Sequence, residues 1–169
     1  TVSLSNGLAT PLSFEGMTIG PNLAGLGRTF VGSGEFNLSL NDCVVHGYSA
    51  IYAGADPAKI VEIRDSFLGT ADAPLVVEAI RFTGNNSVST REDEVVTILD
   101  SQLWATGSCV SFSHGAVSND ERFVTVHDSM LRCGTHGVWD GSSNANYFDE
   151  GTHLDIQRSM ILATQYGVG

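Results

Sequence analysis

A short motif recurs along this chain, and recurrence limits the fold before any other property does, because each copy must bury its apolar residues against its neighbours. Phe36-Asn37-Leu38-Ser39-Leu40-Asn41-Asp42-Cys43-Val44-Val45 is echoed by Ile60-Val61-Glu62-Ile63-Arg64-Asp65-Ser66-Phe67-Leu68. The echo continues as Val95-Val96-Thr97-Ile98-Leu99-Asp100-Ser101-Gln102-Leu103, then from Phe123 to Leu131, then from Leu154 to Ile161. A fainter first copy runs from Leu12 to Ile19. Anchored on Cys43, Ser66, Ser101, Ser129 and Ser159, the spacing varies between 23 and 35 residues, as expected of coils joined by loops of unequal length.

Within each copy apolar and polar residues alternate with a period of two, so each copy is a strand with one buried face. Val61 and Ile63 point in, Glu62 and Arg64 out. At the aspartate the parity slips: the inward set resumes at Ser66 and Leu68, and the same slip follows Asp42, Asp100 and Asp128. A single corner residue in the left-handed region explains it, because the chain bends there and a second strand starts with its alternation reset. Asp, Asn and Gly tolerate that conformation best, and the first copy has Gly16 in the slot. Arg158, in the last copy, does not fit this residue preference. A third short strand is expected around Gly25-Leu26, Ala50-Ile51, Cys109-Val110, Gly137-Val138 and Gly167-Val168.

Three strands per turn close a coil, and stacked coils share one continuous core. The expected fold is all-β: a right-handed parallel β-helix of about six rungs with three short strands per rung, the hand following the general rule for parallel crossovers. Residues 1–11 are expected to form an N-terminal cap or lead-in, and residues 12–169 the β-helix. The last copy stops at Tyr166-Gly167-Val168-Gly169, midway through a coil, so its final rung is expected to continue into further protein or to dock against it.

The repeat resembles the pectin-lyase-like superfamily of right-handed parallel β-helices, which includes polysaccharide lyases, galacturonases and phage tailspikes. The resemblance spans about residues 12–168. It implies an architecture and leaves activity open, since such scaffolds host many functions. Galacturonases of the group carry Asn-Thr-Asp, Asp-Asp, Gly-His-Gly and Arg-x-Lys motifs, none of which occurs in this sequence. Nor do the basic residues expected of pectate lyases find a match, Lys59 being the only lysine and placed at the start of a strand.

The column Asp42, Asp65, Asp100 and Asp128, with Gly16, is therefore read as a structural corner ladder: calcium would need the oxygens to converge on one point. The inward column Cys43, Ser66, Ser101, Ser129 and Ser159 is read as an internal hydroxyl stack, since no histidine sits where it would activate a serine. Cys43, Cys109 and Cys133 form no CxxC and are read as small buried hydrophobes with free thiols. No metal or other cofactor is expected.

Long excursions follow the third strand at Thr83–Glu94, Ser113–Arg122 and Asp140–His153, all leaving one corner of successive rungs. The candidate interaction flank is there, in Glu92, Asp93, His114, Asp120, Asp140, Tyr147, Asp149 and Glu150, because sites are commonly carried by loops on a rigid scaffold. Two of its carboxylates would serve as acid and base on a glycosidic bond if about 5 to 9.5 Å apart; an acidic solvated flank is the simpler reading.

Nineteen acidic against eight basic residues, a formal charge of -11, disfavour nucleic acid and anionic membranes as partners. Solubility, a saline setting or a cationic partner would each account for this acidity. No apolar stretch approaches the roughly 20 residues of a membrane span, and Thr1-Val2-Ser3-Leu4 lacks the basic head of a signal peptide. The expected function is a non-catalytic structural or adhesive β-helix, a virion decoration, spike or fibre component or a cell-surface protein. Its partners would be other protein subunits, in a homo-oligomer or larger assembly, and its place extracellular or on a virion. The alternative is a carbohydrate-active enzyme or polysaccharide-binding module, with Tyr48, Trp104 and Trp139 as sugar-stacking faces.

Overall fold

The computed structural model describes residues 1–20, 27–54, 58–84, 93–114, 121–141 and 152–169. The first strand, β1 (Val2–Leu4), is followed by six rungs of three strands. The rungs are β2 (Gly7–Glu15), β3 (Thr18–Ile19), β4 (Arg28–Gly32); β5 (Phe36–Asn41), β6 (Val44–Val45), β7 (Ser49–Gly54); and β8 (Lys59–Arg64), β9 (Phe67–Leu68), β10 (Ile80–Gly84). They continue as β11 (Glu94–Leu99), β12 (Gln102–Ala105), β13 (Val110–His114); β14 (Arg122–His127), β15 (Met130–Cys133), β16 (His136–Asp140); and β17 (Thr152–Gln157), β18 (Met160–Ala163), β19 (Tyr166–Val168).

Every strand pairs in parallel with its counterparts one rung away, which builds three sheets. Sheet A holds β1, β4, β7, β10, β13, β16 and β19; sheet B holds β2, β5, β8, β11, β14 and β17; sheet C holds β3, β6, β9, β12, β15 and β18. This is a parallel β-helix of six rungs with three strands per rung. Residues 1–4, expected in a cap or lead-in, supply β1, which pairs with β4. In the first rung the third strand is Arg28–Gly32; its expected position at Gly25-Leu26 lies outside the described residues. In the third rung, for which the sequence suggested no third strand, an excursion from Thr70 to Ala79 precedes β10.

Parallel registration stacks like on like. Leu38, Val61, Val96 and Val124 form one column of sheet B, and Leu40, Ile63, Ile98 and Val126 the next. Val45, Leu68, Leu103 and Leu131 line sheet C, and Phe30, Ile51, Ile80, Val110 and Val138 line sheet A. All are buried, each contributing about 1.5–3 kcal/mol of apolar transfer. On the last rung the same slots, Leu154 and Ile156, are exposed.

The corner between sheets B and C is left-handed in every rung: φ is 63° at Gly16, 49° at Asp42, Asp65 and Asp100, 50° at Asp128 and 46° at Arg158. Arg158 thus adopts the corner despite its side chain. Its guanidinium forks the Asp128 carboxylate one rung away, with Nε to Oδ1 at 2.7 Å and Nη2 to Oδ2 at 2.6 Å. That charge-assisted pair offsets the cost of a long side chain in the left-handed region.

Behind the corner the serines form a hydrogen-bonded ladder. Each Oγ donates to the carbonyl two residues back: Ser66 to Arg64 and Ser101 to Leu99, both at 2.6 Å. Each also accepts the N–H of the preceding rung's member: Cys43 to Ser66, Ser66 to Ser101 and Ser101 to Ser129, all at 3.0 Å. The hydroxyls thereby satisfy amides that the bend takes out of the strand ladder.

The cysteines, expected as three free thiols, are not all free. Cys109 and Cys133 form a disulfide with Cα atoms 5.5 Å apart, and only Cys43 is a free, buried thiol. The pairing follows from register: Cys133 lies beside Ala105 in sheet C, and Cys109 is the residue that leads from the same rung as Ala105 into β13. Stacking therefore brings the two together across one rung boundary.

Candidate functional site

The flank that bears the long excursions lies where sheet A strands end and sheet B strands begin. Parity carries the inward set of sheet B back to the first residue of each strand: Phe36, Lys59, Glu94, Arg122 and Thr152 form one registered column. Facing it is the last inward column of sheet A: Gly32, Ala53, Phe82, Phe112 and Asp140. A Cβ on Gly32 would sit 2.4 Å from the Phe36 ring, so the small residue makes room for the large one opposite.

Three members of the first column are charged and sealed from solvent. Lys59 Nζ lies 3.2 Å from Glu94 Oε1, Arg122 Nε lies 3.7 Å from Glu94 Oε2, and Arg122 Nη1 donates to Asp140 Oδ2 at 2.7 Å. Thr152 Oγ1 donates to the same oxygen at 2.6 Å. The cations also face aromatic rings, Lys59 over Phe82 and Arg122 over Phe112, each 5.8 Å from the centroid. Buried charges are tolerated when paired in this way, and removing one partner is strongly destabilising.

This ladder is the base of the expected interaction flank. Asp93 caps it from the backbone, its carbonyl accepting the Lys59 N–H at 3.2 Å. His114 ends β13, in register with Gly84. The Asp140 side chain is 19% exposed, and its Oδ1 is buried with no hydrogen-bond partner among the described residues. Glu92, Asp120, Tyr147, Asp149 and Glu150 lie outside the described residues. Glu94 and Asp140, the carboxylates placed in the ladder, are engaged by Lys59 and Arg122, an arrangement that ties successive rungs together.

Lys59, Glu94 and Arg122 are not among the residues expected at the flank from the sequence. Extending the inward alternation one step before Val61, Val96 and Val124 reaches Lys59, Glu94 and Arg122, so the signal was present in the parity.

Of the aromatics weighed as sugar platforms, Trp104 borders a groove of about 460 Å³ on sheet C, together with Pro74, Thr106, Arg132 and Gly134. Arg132 stacks over the indole at 4.8 Å. Trp139 stacks with His136 on sheet A, so the two tryptophans lie on different faces. No protein-family model, curated protein or solved structure matches the chain.

Proposed function

We propose that this chain is a non-catalytic structural or adhesive β-helix that works as part of a larger protein assembly in an extracellular setting. The observation that carries the reading is the Lys59–Glu94–Arg122–Asp140 ladder, which commits the carboxylates placed beneath the loop flank to internal ion pairs. The sequence supports it by lacking the catalytic motifs of the pectin-lyase-like enzymes that the repeat resembles. The Cys109–Cys133 disulfide supports the setting, since such bonds persist mainly in oxidising compartments. A virion decoration, spike or fibre component is the version that the pectin-lyase-like resemblance favours, and it rests on that likeness.

The second reading, a polysaccharide-binding module, is favoured by the Trp104 groove, where an indole and a guanidinium lie side by side. The first reading is tested by incubating the protein with acidic and neutral polysaccharides and assaying for new reducing ends and unsaturated products. No turnover is expected. Reproducible cleavage that disappears when one loop carboxylate is replaced, Asp120→Asn or Glu150→Gln, with the thermal melt unchanged, would overturn it.

A further inference from the structure

Lys59 is the single lysine among the chain's eight basic residues, and it stands in the interior. It opens β8 directly opposite Glu94, which opens β11, the two being in register on adjacent parallel strands. Their side chains are 1% and 2% exposed, with Lys59 Nζ 3.2 Å from Glu94 Oε1. Arginine is better suited to a buried ion pair, because its planar fork matches a carboxylate and its charge is more weakly hydrated; the ladder uses one at Arg122. What lysine brings to its slot instead is a primary amine, which can be acylated.

The surroundings suit that reaction. Two ions held out of water carry a desolvation cost that their mutual attraction repays only in part, and an amide between them removes both charges. The register of β8 against β11 holds amine and carboxyl together, which supplies the proximity that a bimolecular condensation lacks. The Phe82 ring lies beside the amine, its centroid 5.8 Å from Nζ. Arg122 bonds Asp140 at 2.7 Å and stands 3.7 Å from Glu94 Oε2, placed to stabilise negative charge that gathers on that oxygen as the nitrogen attacks.

We propose that Lys59 and Glu94 become joined by an isopeptide bond that ties the third rung to the fourth from inside the coil. Nζ attacks Cδ of Glu94: the Nζ–Cδ bond forms, the Cδ–Oε1 bond breaks, and Oε1 leaves as water with two of the three ammonium protons. Ammonium and carboxylate thus become one neutral amide, with no oxidant, reductant or further reactant. Oε2 becomes the amide oxygen and stays beside Arg122. The Cys109–Cys133 disulfide links the fourth rung to the fifth, so the two bonds together tie three consecutive rungs. The inference rests on the geometry of the pair and not on the reading of function above, and a mass decides it where turnover decides the other.

The test is the intact mass of the full chain, purified folded and then denatured and reduced. A mass about 18 Da, one water, below the sum of its residues is expected. Trypsin should leave residues 29–64 uncut at Lys59 and joined to residues 92–122. Lys59→Arg keeps the cation but cannot form this bond, and it should restore the full mass. A reduced parent protein of full mass would overturn the proposal. So would a deficit that persists in Lys59→Arg, or one that maps to another peptide, such as cyclisation at Asp140-Gly141, which loses the same water.

Discussion

Replacing Ser101 by alanine removes one atom from the interior, and the structure says what that atom does. Ser101 is 2% exposed; its Oγ accepts the Ser66 N–H at 3.0 Å and donates to the Leu99 carbonyl at 2.6 Å. The two losses differ in weight. The Leu99 carbonyl keeps the Asp65 N–H at 3.1 Å, whereas the Ser66 N–H is left buried with no acceptor. Stranding such a donor costs about 1–3 kcal/mol, so Ser101→Ala should destabilise by about 2 kcal/mol, or about 4–8 °C in Tm for a chain of this size. At Ser159 the same change should cost less, because that residue lies on the half-exposed last rung where water can reach the Ser129 N–H. Ser101→Cys should recover part of the loss, since the Cys43 thiol already points at the Asn41 carbonyl at 3.2 Å in the equivalent slot. Urea unfolding of the three variants measures the order, and hydrogen exchange of the Ser66 amide reads the lost acceptor directly. A Ser101→Ala protein within about 0.5 kcal/mol of the parent, or an unchanged Ser66 exchange rate, would refute the ladder as a source of stability.

Asp100→Gly should be tolerated and Asp100→Val should cost about 1–2 kcal/mol, because a β-branched residue is forced to the φ of 49° found there; equal melts would contradict the corner. Cys133→Ala opens a disulfide that spans a separation of 24 residues and should lower stability by about 3.5 kcal/mol on loop entropy, with mass spectrometry showing one new free thiol at Cys109. Glu94→Ala leaves Lys59 and Arg122 sealed in without the carboxylate they share and should cost about 3–5 kcal/mol by denaturant unfolding; loss of under 1 kcal/mol would refute the ladder. The hydrogen bond from Arg158 holds the Asp128 carboxyl below its ordinary value, so the pair contributes stability above the unfolded carboxylate range and loses it as pH falls through the lowered value. Carboxyl NMR should find Asp128 titrating at higher pH in Arg158→Gln.

Much of the architecture was legible because a parallel stack repeats its chemistry. Inward positions fall in register, so Val61, Val96 and Val124 are one column seen three times, and a parity slip at one fixed residue marks a corner. What was less legible depends on distances between rungs. The Cys109–Cys133 bond needs the register of sheet C against the start of the next sheet A strand, which no spacing along the chain displays. The charged ladder was hidden differently: Lys59, Glu94 and Arg122 look like surface residues, and only the parity of their strands puts them inside. At the flank, Asp93, His114 and Asp140 end or adjoin strands that the stack brings to one edge, while the rest of the expected set lies outside the described residues.

The corner and the hydroxyl ladder place different demands on the residues that fill them. A corner needs only a backbone that accepts positive φ, so Gly16, four aspartates and Arg158 all serve. The ladder needs an atom that donates and accepts at once in a space too small for more than a hydroxyl or thiol, so its slots hold Ser66, Ser101, Ser129 and Ser159, with Cys43 at one end. Aspartate at every corner would stack like charges at each rung spacing, a repulsion that grows with every rung added. Arg158 interrupts that series: it accepts the strain of the left-handed region, about 1–2 kcal/mol, and converts its neighbour Asp128 from one more repelling charge into half of a bidentate pair. On this reasoning Arg158→Asp would keep a residue suited to the bend and still destabilise the last rungs at low salt, with the deficit shrinking as salt screens the column.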